Sequence, residues 1–354
     1  MVGGPAGMMA AITAAENGSN EVILIEKNKS LGKKLLITGK GRCNITNSTE
    51  MDEFFSNIPR NNKFLYSVFN NYNNTDIIDF LHKQGVETKV ERGKRIFPVS
   101  DKANDVLNAF VRRMKELQIK IKTEYKVEKI IIENGQAVGV DNIPADKIIL
   151  ATGGISYPGT GSTGDGHKIA ERLGHTITAL EPSLVPLIVS KKDLWMCKEA
   201  EGLSLKNIKI KIEDVAETNT RRKKIYEELG EMIFTDMGVS GPVILTASAY
   251  MRGRKEVQLS IDLKPALSQE QLDVRILRDF EEVNNKQFKN ALDKLLPQKL
   301  IPIIIKISEI DPQKKVNEIT KEERLNLIKL LKGLELEVVG LGKIRRGNSN
   351  CTEE

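Results

Sequence analysis

Three glycines, Gly3, Gly4 and Gly7, with Pro5 and Ala6 among them, stand ahead of a helical run and an apolar strand that ends in Glu26. A helix opening on such a turn offers unpaired N–H groups and the positive end of its dipole to a phosphate. Gly4 lets a pyrophosphate approach the backbone, and Gly7 lets the helix pack closely on a sheet. Pro5 falls where a first-turn proline loses nothing, because its missing N–H would have no helical partner. Glu26 closes the run VILI (22–25), nineteen residues past Gly7, and is placed to accept hydrogen bonds from an adenosine ribose. Lys27 follows it. The competing reading is a glycine-rich helix start without a ligand. The turn departs from a full GxGxxG in two ways. Only Met1 and Val2 precede the glycines, and Val2 occupies the place of the first glycine.

Two further glycine-rich segments carry chemistry. In ITGKGRCNITN (37–47), backbone N–H groups around Gly39 and Gly41, with Lys34 and Arg42 nearby, can neutralise a pyrophosphate, while Asn44 supplies a neutral hydrogen bond. Cys43 reads as a small buried side chain rather than a redox thiol, since no second cysteine stands near to resolve a disulfide. In ATGGISYPGTGSTGDGHKIAERLGH (151–175), Ala151, Thr152 and Gly153 end a returning strand, where loops at the carboxyl ends of parallel strands meet ligands. Asp165 then opens a helix, as a ligand contact or as a partner of the helix dipole. A third segment, GEMIFTDMGVSGPVILTASA (230–249), has Gly238, Gly241 and Pro242 shaping a turn, with a helix from Val243 capped by Ser240.

The elements that must position these groups follow from periodicity. Residues 62–84 and 101–117 have helical spacing, with Phe80, Leu81, Leu107, Phe110 and Met114 on the apolar stripe. Asn134-Gly135 between YKVEKIIIE and AVGVDN predicts a tight hairpin. KIILATGG (147–154) reads as a buried strand running into a glycine turn. The fold class is therefore α/β, a Rossmann-like two-dinucleotide-type domain over 1–186. Alternating strands predict an inserted antiparallel β domain over 187–266, rejoined by 334–344. Between them, 267–333 reads as a small helical subdomain, with Ser268 and Gln271 forming a capping box.

Composition narrows the classes. The chain has 354 residues, 40% hydrophobic and 29% charged, with a net charge of +6. Its densest basic run, RRKK at 221–224, lies among polar residues and reads as a solvated loop. Aromatic residues make up 5% of the chain, too few for base-stacking platforms, so no nucleic-acid partner is expected. No apolar run reaches membrane-spanning length. Three scattered cysteines and no Cys/His cluster argue against a disulfide framework or a metal and for a reducing cytoplasm.

Taken in order, GGPAG, IEKN…GKKLLITGKGRCNITN, RIFPVSDKA, ATGGISYPGTGSTGDG, EPSLVPL and GEMIFTDMGVSGP resemble the BaiN-type NAD(P)/FAD-dependent oxidoreductases, the aminoacetone oxidase-like FAD-binding proteins. The resemblance covers nearly the whole chain. The TGDG element is similar to one in fumarate-reductase-type flavoproteins. It implies an FAD cofactor and flavin-mediated hydride transfer on a small-molecule substrate, with NAD(P)H or an oxidisable substrate as donor. Gly3, Gly4, Gly7 and Glu26 match the FAD pyrophosphate and ribose contacts. Lys34, Arg42, Cys43 and Asn44 match a second flavin-proximal segment. Val127 matches a strand whose backbone meets adenine, and Ala151, Thr152 and Gly153 match the second FAD turn.

The same resemblance leads to the expectation that the chain is truncated at both ends, lacking the first strand and a C-terminal flavin segment. A flavin-free or poorly folded fragment is then one alternative function, and an FAD-dependent RNA-modifying enzyme is another. Residues 345–354 read as a frameshifted tail. One choice of codons for Arg345–Cys351, shifted by one base, encodes the Glu-Glu-Ala-Ile-Val-Thr run that family members have after the matching strand.

Overall fold

The computed structural model describes residues 3–19, 21–215, 222–251, 253–254 and 256–342; the expected frameshifted tail lies outside them. The chain divides into two compact units, Met1–Ala179 and Leu180–Ile344.

The first unit opens with α1 (Pro5–Glu16), which buries Gly7, Met8, Ala11 and Ile12 and has Pro5 in its first turn. β1 (Ile23–Ile25) follows, then α2 (Lys33–Ile37), β2 (Thr46–Asn47) and α3 (Met51–Ser56). The helical stretch expected over 62–84 is broken into α4 (Tyr66–Asn71) and α5 (Asn74–Lys83). The break is chemical. Asn73 accepts from the Thr75 and Asp76 amides while Asp76 returns a bond to the Asn73 amide, so a capping box restarts the helix. β3 (Thr88–Glu91) and β4 (Arg95–Pro98) form a hairpin with β2 on its outer edge. α6 (Ala103–Glu116) packs Val106, Ala109, Phe110 and Met114 into a core shared with α1 and β1.

β5 (Lys120–Lys122) pairs in parallel with β1, Leu24 opposite Ile121, and these two strands make up the parallel sheet of the described residues. β6 (Ile130–Glu133) and β7 (Gln136–Val140) turn at Asn134 (φ 51°) and Gly135 (φ 77°), as the Asn-Gly pair predicts, and β8 (Ile143–Pro144) extends that ribbon. α7 (Asp165–Arg172) ends the unit's regular structure.

The expected strand KIILATGG does not form. Residues 147–154 lie outside any strand, with Ile149 53% and Leu150 39% exposed. A cavity of about 610 Å³ lies between this segment and β1, so among the described residues the two form no ladder. Its walls are Ile23–Ile25, Ile148, Ile149 and the small-residue face of α1, Gly7, Ala10, Ala11 and Ala14. Gly7, expected to seat the helix on a sheet, faces this space instead.

The second unit is a closed six-stranded barrel with helices on one shared core. β9 (Leu187–Val189), α8 (Leu194–Glu199), β10 (Ser204–Asp214), β11 (Lys223–Thr235), β12 (Gly238–Ser240), α9 (Pro242–Tyr250) and β13 (Val257–Asp262) come first. Then α10 (Gln269–Glu281), α11 (Ile301–Ser308) and α12 (Lys321–Lys332) precede β14 (Leu334–Leu341). Around the barrel the order is β10-β11-β12-β9-β14-β13. Period-two burial decides it. Ile208, Ile210 and Ile212 point inward and are buried, as are Val257, Leu259 and Ile261 opposite them. The Ser268–Gln271 capping box is present at the start of α10. Ser240, by contrast, does not cap α9: it pairs in β12 with Ile233, and Gly241 occupies the cap position.

Candidate functional site

Glu26 is 4% exposed at the end of β1, so its carboxylate must find donors inside the protein. Oε2 accepts from the Gly3 amide at 2.8 Å. Oε1 accepts from the Asn28 amide at 2.7 Å and from Asn28 Nδ2 at 2.6 Å. The Gly3 end of the turn is also tied by Gly32, whose N–H donates to the Gly3 carbonyl at 2.7 Å. The glycine turn is thus held at both its amide and its carbonyl, and it points the first turn of α1 into a cleft. There the Ala6 amide has no acceptor within the helix.

Lysines surround this helix end. Lys34 Nζ donates to Ser162 Oγ at 2.7 Å and to the Ser156 carbonyl at 3.0 Å, and its burial lowers its pKa. Lys27 Nζ donates to Thr163 Oγ1 and Asp165 Oδ2, both at 2.5 Å. Burial works to raise the Asp165 pKa, but the hydrogen bonds from Lys27 and Thr163 overcome it and hold the carboxyl below its usual value. Lys33 Nζ reaches Asn28 Oδ1 at 3.2 Å. These contacts stitch the loop ahead of α7 over the cleft. The loop bends sharply at Gly153 (φ 67°) and Gly161 (φ 103°). On the far wall the Tyr125 amide donates to the Glu26 carbonyl at 3.0 Å, which lays Val127 along the end of β1.

Of the residues expected from sequence, Gly3, Gly4, Pro5, Ala6, Glu26, Lys27, Lys34, Val127, Ala151, Thr152, Gly153 and Asp165 line this one cleft. Gly7 lines the neighbouring cavity. Gly41, Arg42, Cys43 and Asn44 lie elsewhere. Arg42 donates to Glu91 at 2.8 Å, approaches Asp101 at 3.5 Å and stacks 4.2 Å from the Phe97 ring centroid. Its charge is therefore spent on the β3–β4 hairpin. Cys43 is 4% exposed within the α1–α6 core, and burial raises its pKa. Asn44 is exposed.

Sequence reasoning missed Asn28, Lys33, Ser162 and Thr163. The signal for Asn28 was present: an amide side chain two residues past a carboxylate is placed to close a local turn. The other three become visible only when the 156–165 loop folds over β1. Among the described residues, no group of three His, Cys, Asp or Glu side chains is gathered as a metal site. No helix among them is long and apolar enough to cross a membrane.

The donor set suits a dinucleotide diphosphate. A helix N-terminus and ammonium groups meet negative charge, and a buried carboxylate stands where a ribose would be read. Residues 1–321 match the family described as HI0933-like protein Rossmann domain. The chain is 30% identical to the 3-dehydro-bile acid delta(4,6)-reductase of Clostridium scindens over 340 residues, covering 93% of this chain and 80% of that protein. It is 27% identical to the ribosomal RNA dihydrouridine synthase of Escherichia coli, covering 93% and 78%. The open conformation of a flavocytochrome c3 fumarate reductase aligns at a TM-score of 0.44 and 13% identity, over 95% of this chain and 64% of that one. The chain belongs to the HI0933-like Rossmann-domain family and is, as a member of it, an FAD-dependent oxidoreductase.

Proposed function

We propose that the cleft at the N-terminus of α1 holds the adenosine diphosphate half of FAD, and that the enzyme reduces a carbon–carbon double bond conjugated to a carbonyl. The convergence of Glu26, the first turn of α1 and Lys34 on one cleft carries the cofactor assignment. Lys34 and the Ala6 amide would face the phosphates, Glu26 the ribose, and the backbone at Val127 the adenine. When bound, the flavin supplies hydride transfer, with NAD(P)H as the proposed donor. The chain's own residues bind and orient it. Glu26 holds the turn, and Lys27 and Lys34 keep the 156–165 loop over the cleft, limiting water. The substrate class draws on the relatives, a 3-dehydro-bile acid delta(4,6)-reductase and a ribosomal RNA dihydrouridine synthase. A 3-oxo-4,6-diene and the pyrimidine double bond of uridine are both conjugated to a carbonyl, and this shared chemistry supports the proposed substrate class. A small molecule in the cytoplasm is the first reading.

The second reading is a uridine in RNA, favoured by the ribosomal RNA dihydrouridine synthase among the relatives. One experiment separates them. The protein is loaded with FAD, reduced anaerobically with NADPH or dithionite, and mixed with a 3-oxo-4,6-diene steroid or with ribosomal RNA. Return of the oxidised flavin spectrum with the steroid alone supports the first reading, and return with RNA alone supports the second. Reoxidation by neither would overturn both, and salt-dependent retention of RNA gives an independent check on the second.

A further inference from the structure

We propose that Asn28 commits one oxygen of Glu26, so that Glu26 reads a single hydroxyl of the adenosine ribose instead of gripping both. The inference rests on the nucleotide reading of the cleft. An ionised carboxylate offers about four acceptor positions. Three are taken: Oε1 by the Asn28 amide (2.7 Å) and Asn28 Nδ2 (2.6 Å), Oε2 by the Gly3 amide (2.8 Å). Among the described residues one remains, on Oε2.

Asn28 is not free to leave. Its Nδ2 also approaches the Thr160 carbonyl at 3.3 Å, its Oδ1 accepts from Lys33 Nζ at 3.2 Å, and its carbonyl accepts from the Glu124 amide at 3.0 Å. These partners agree on one orientation of the side-chain amide: two acceptors face Nδ2 and a cation faces Oδ1. Gly161 keeps the space open. A Cβ there would stand 2.5 Å from Asn28 Nδ2, and φ at Gly161 is 103°. Asn28 is therefore a positioning residue that sets what Glu26 can recognise.

The test uses the full chain and equilibrium titration with ADP, 2′-deoxy-ADP and 3′-deoxy-ADP. The wild type should lose about ten- to hundredfold in affinity for one deoxy analogue, the value of a hydrogen bond to a charged acceptor, and stay within about threefold of ADP for the other. Asn28→Ala frees one position on Oε1, so both deoxy analogues should then bind more weakly than ADP. A purely structural role for Asn28 would lower all three affinities together and leave their ratios unchanged. Equal loss for both analogues in the wild type, or the wild-type ratios retained in Asn28→Ala, would overturn the proposal while leaving the cleft a nucleotide site. The wild-type ratios decide the matter even where the variant does not fold. Failure of the wild type to bind ADP would overturn the nucleotide reading itself, and this inference with it.

Discussion

The Gly3 amide donates to Glu26 Oε2 at 2.8 Å, joining two residues twenty-three positions apart. The bond fastens the entry of α1 to the exit of β1, so the residue proposed to read a ribose is also the clasp of the glycine turn. Folding and binding therefore depend on the same carboxylate, and a variant at Glu26 should show both effects.

Glu26→Gln keeps the shape but turns an NH2 group toward N–H donors on one side. Either the Gly3 amide or the Asn28 pair is left unsatisfied, at about 1–3 kcal/mol of stability. Urea denaturation should show this loss, and ADP affinity should fall at least about tenfold. Glu26→Ala should be no milder. An unchanged denaturation midpoint would count against the clasp, and unchanged affinity against the ribose assignment.

Lys34→Met removes the cation whose ammonium sits between Ser156 and Ser162. ADP affinity should drop about tenfold at low salt, and its salt dependence should become shallower. Because burial lowers the Lys34 pKa, wild-type binding should weaken as pH rises toward, but before reaching, the ordinary lysine value of about 10.4. The variant should lack that alkaline limb. Titrations across pH and salt check both points.

Asp165 is held below its ordinary pKa by Lys27 and Thr163 against the opposing effect of burial. A depressed carboxylate pKa gives stability that is present above the unfolded value, about 3.9, and is lost as pH falls through the folded value. Asp165→Asn should flatten this acid limb below about pH 4 and change neutral stability by no more than about 1 kcal/mol, since the pair is partly solvent-screened. Melting temperature against pH for both proteins measures it.

Gly166, in the first turn of α7, has no room for a side chain: a Cβ would lie 2.0 Å from Thr152 Oγ1. Gly166→Ala should cost about 1–3 kcal/mol through overpacking. Adding Thr152→Ala removes the obstructing oxygen and should recover part of the loss. Additive destabilisation in the double variant would show that the two residues do not meet.

Cys43 and Cys197 are 4% and 0% exposed, and burial pushes both thiols up, Cys197 to about 12. In a Cys351→Ser background, a thiol reagent should therefore leave the native protein almost unlabelled and react fully in denaturant. Rapid labelling of the native form would show a reactive thiol in one of these two places.

What the sequence determined by itself lies within a few residues along the chain. Pro5 opens α1, Asn134-Gly135 closes its hairpin, Ser268 and Gln271 cap α10, and alternating isoleucines build β10. Each depends on backbone geometry or hydrogen bonds between near neighbours, which residue type alone dictates. The glycine turn and Glu26 were legible for the same reason, as a local unit of turn, helix and strand. What needed the tertiary structure is set by partners far apart. Lys27 finds Asp165 across 138 residues, and Asn28 reaches Thr160 across 132. Arg42 looked like a phosphate contact beside its glycines, but the β3–β4 hairpin brings Glu91 and Asp101 to it, and opposite charges at that range take the guanidinium. Residues 147–150 have the apolar run of a buried strand, yet a strand is a relation between two chains of backbone. A cavity lies between this segment and β1, so among the described residues the two do not form a ladder.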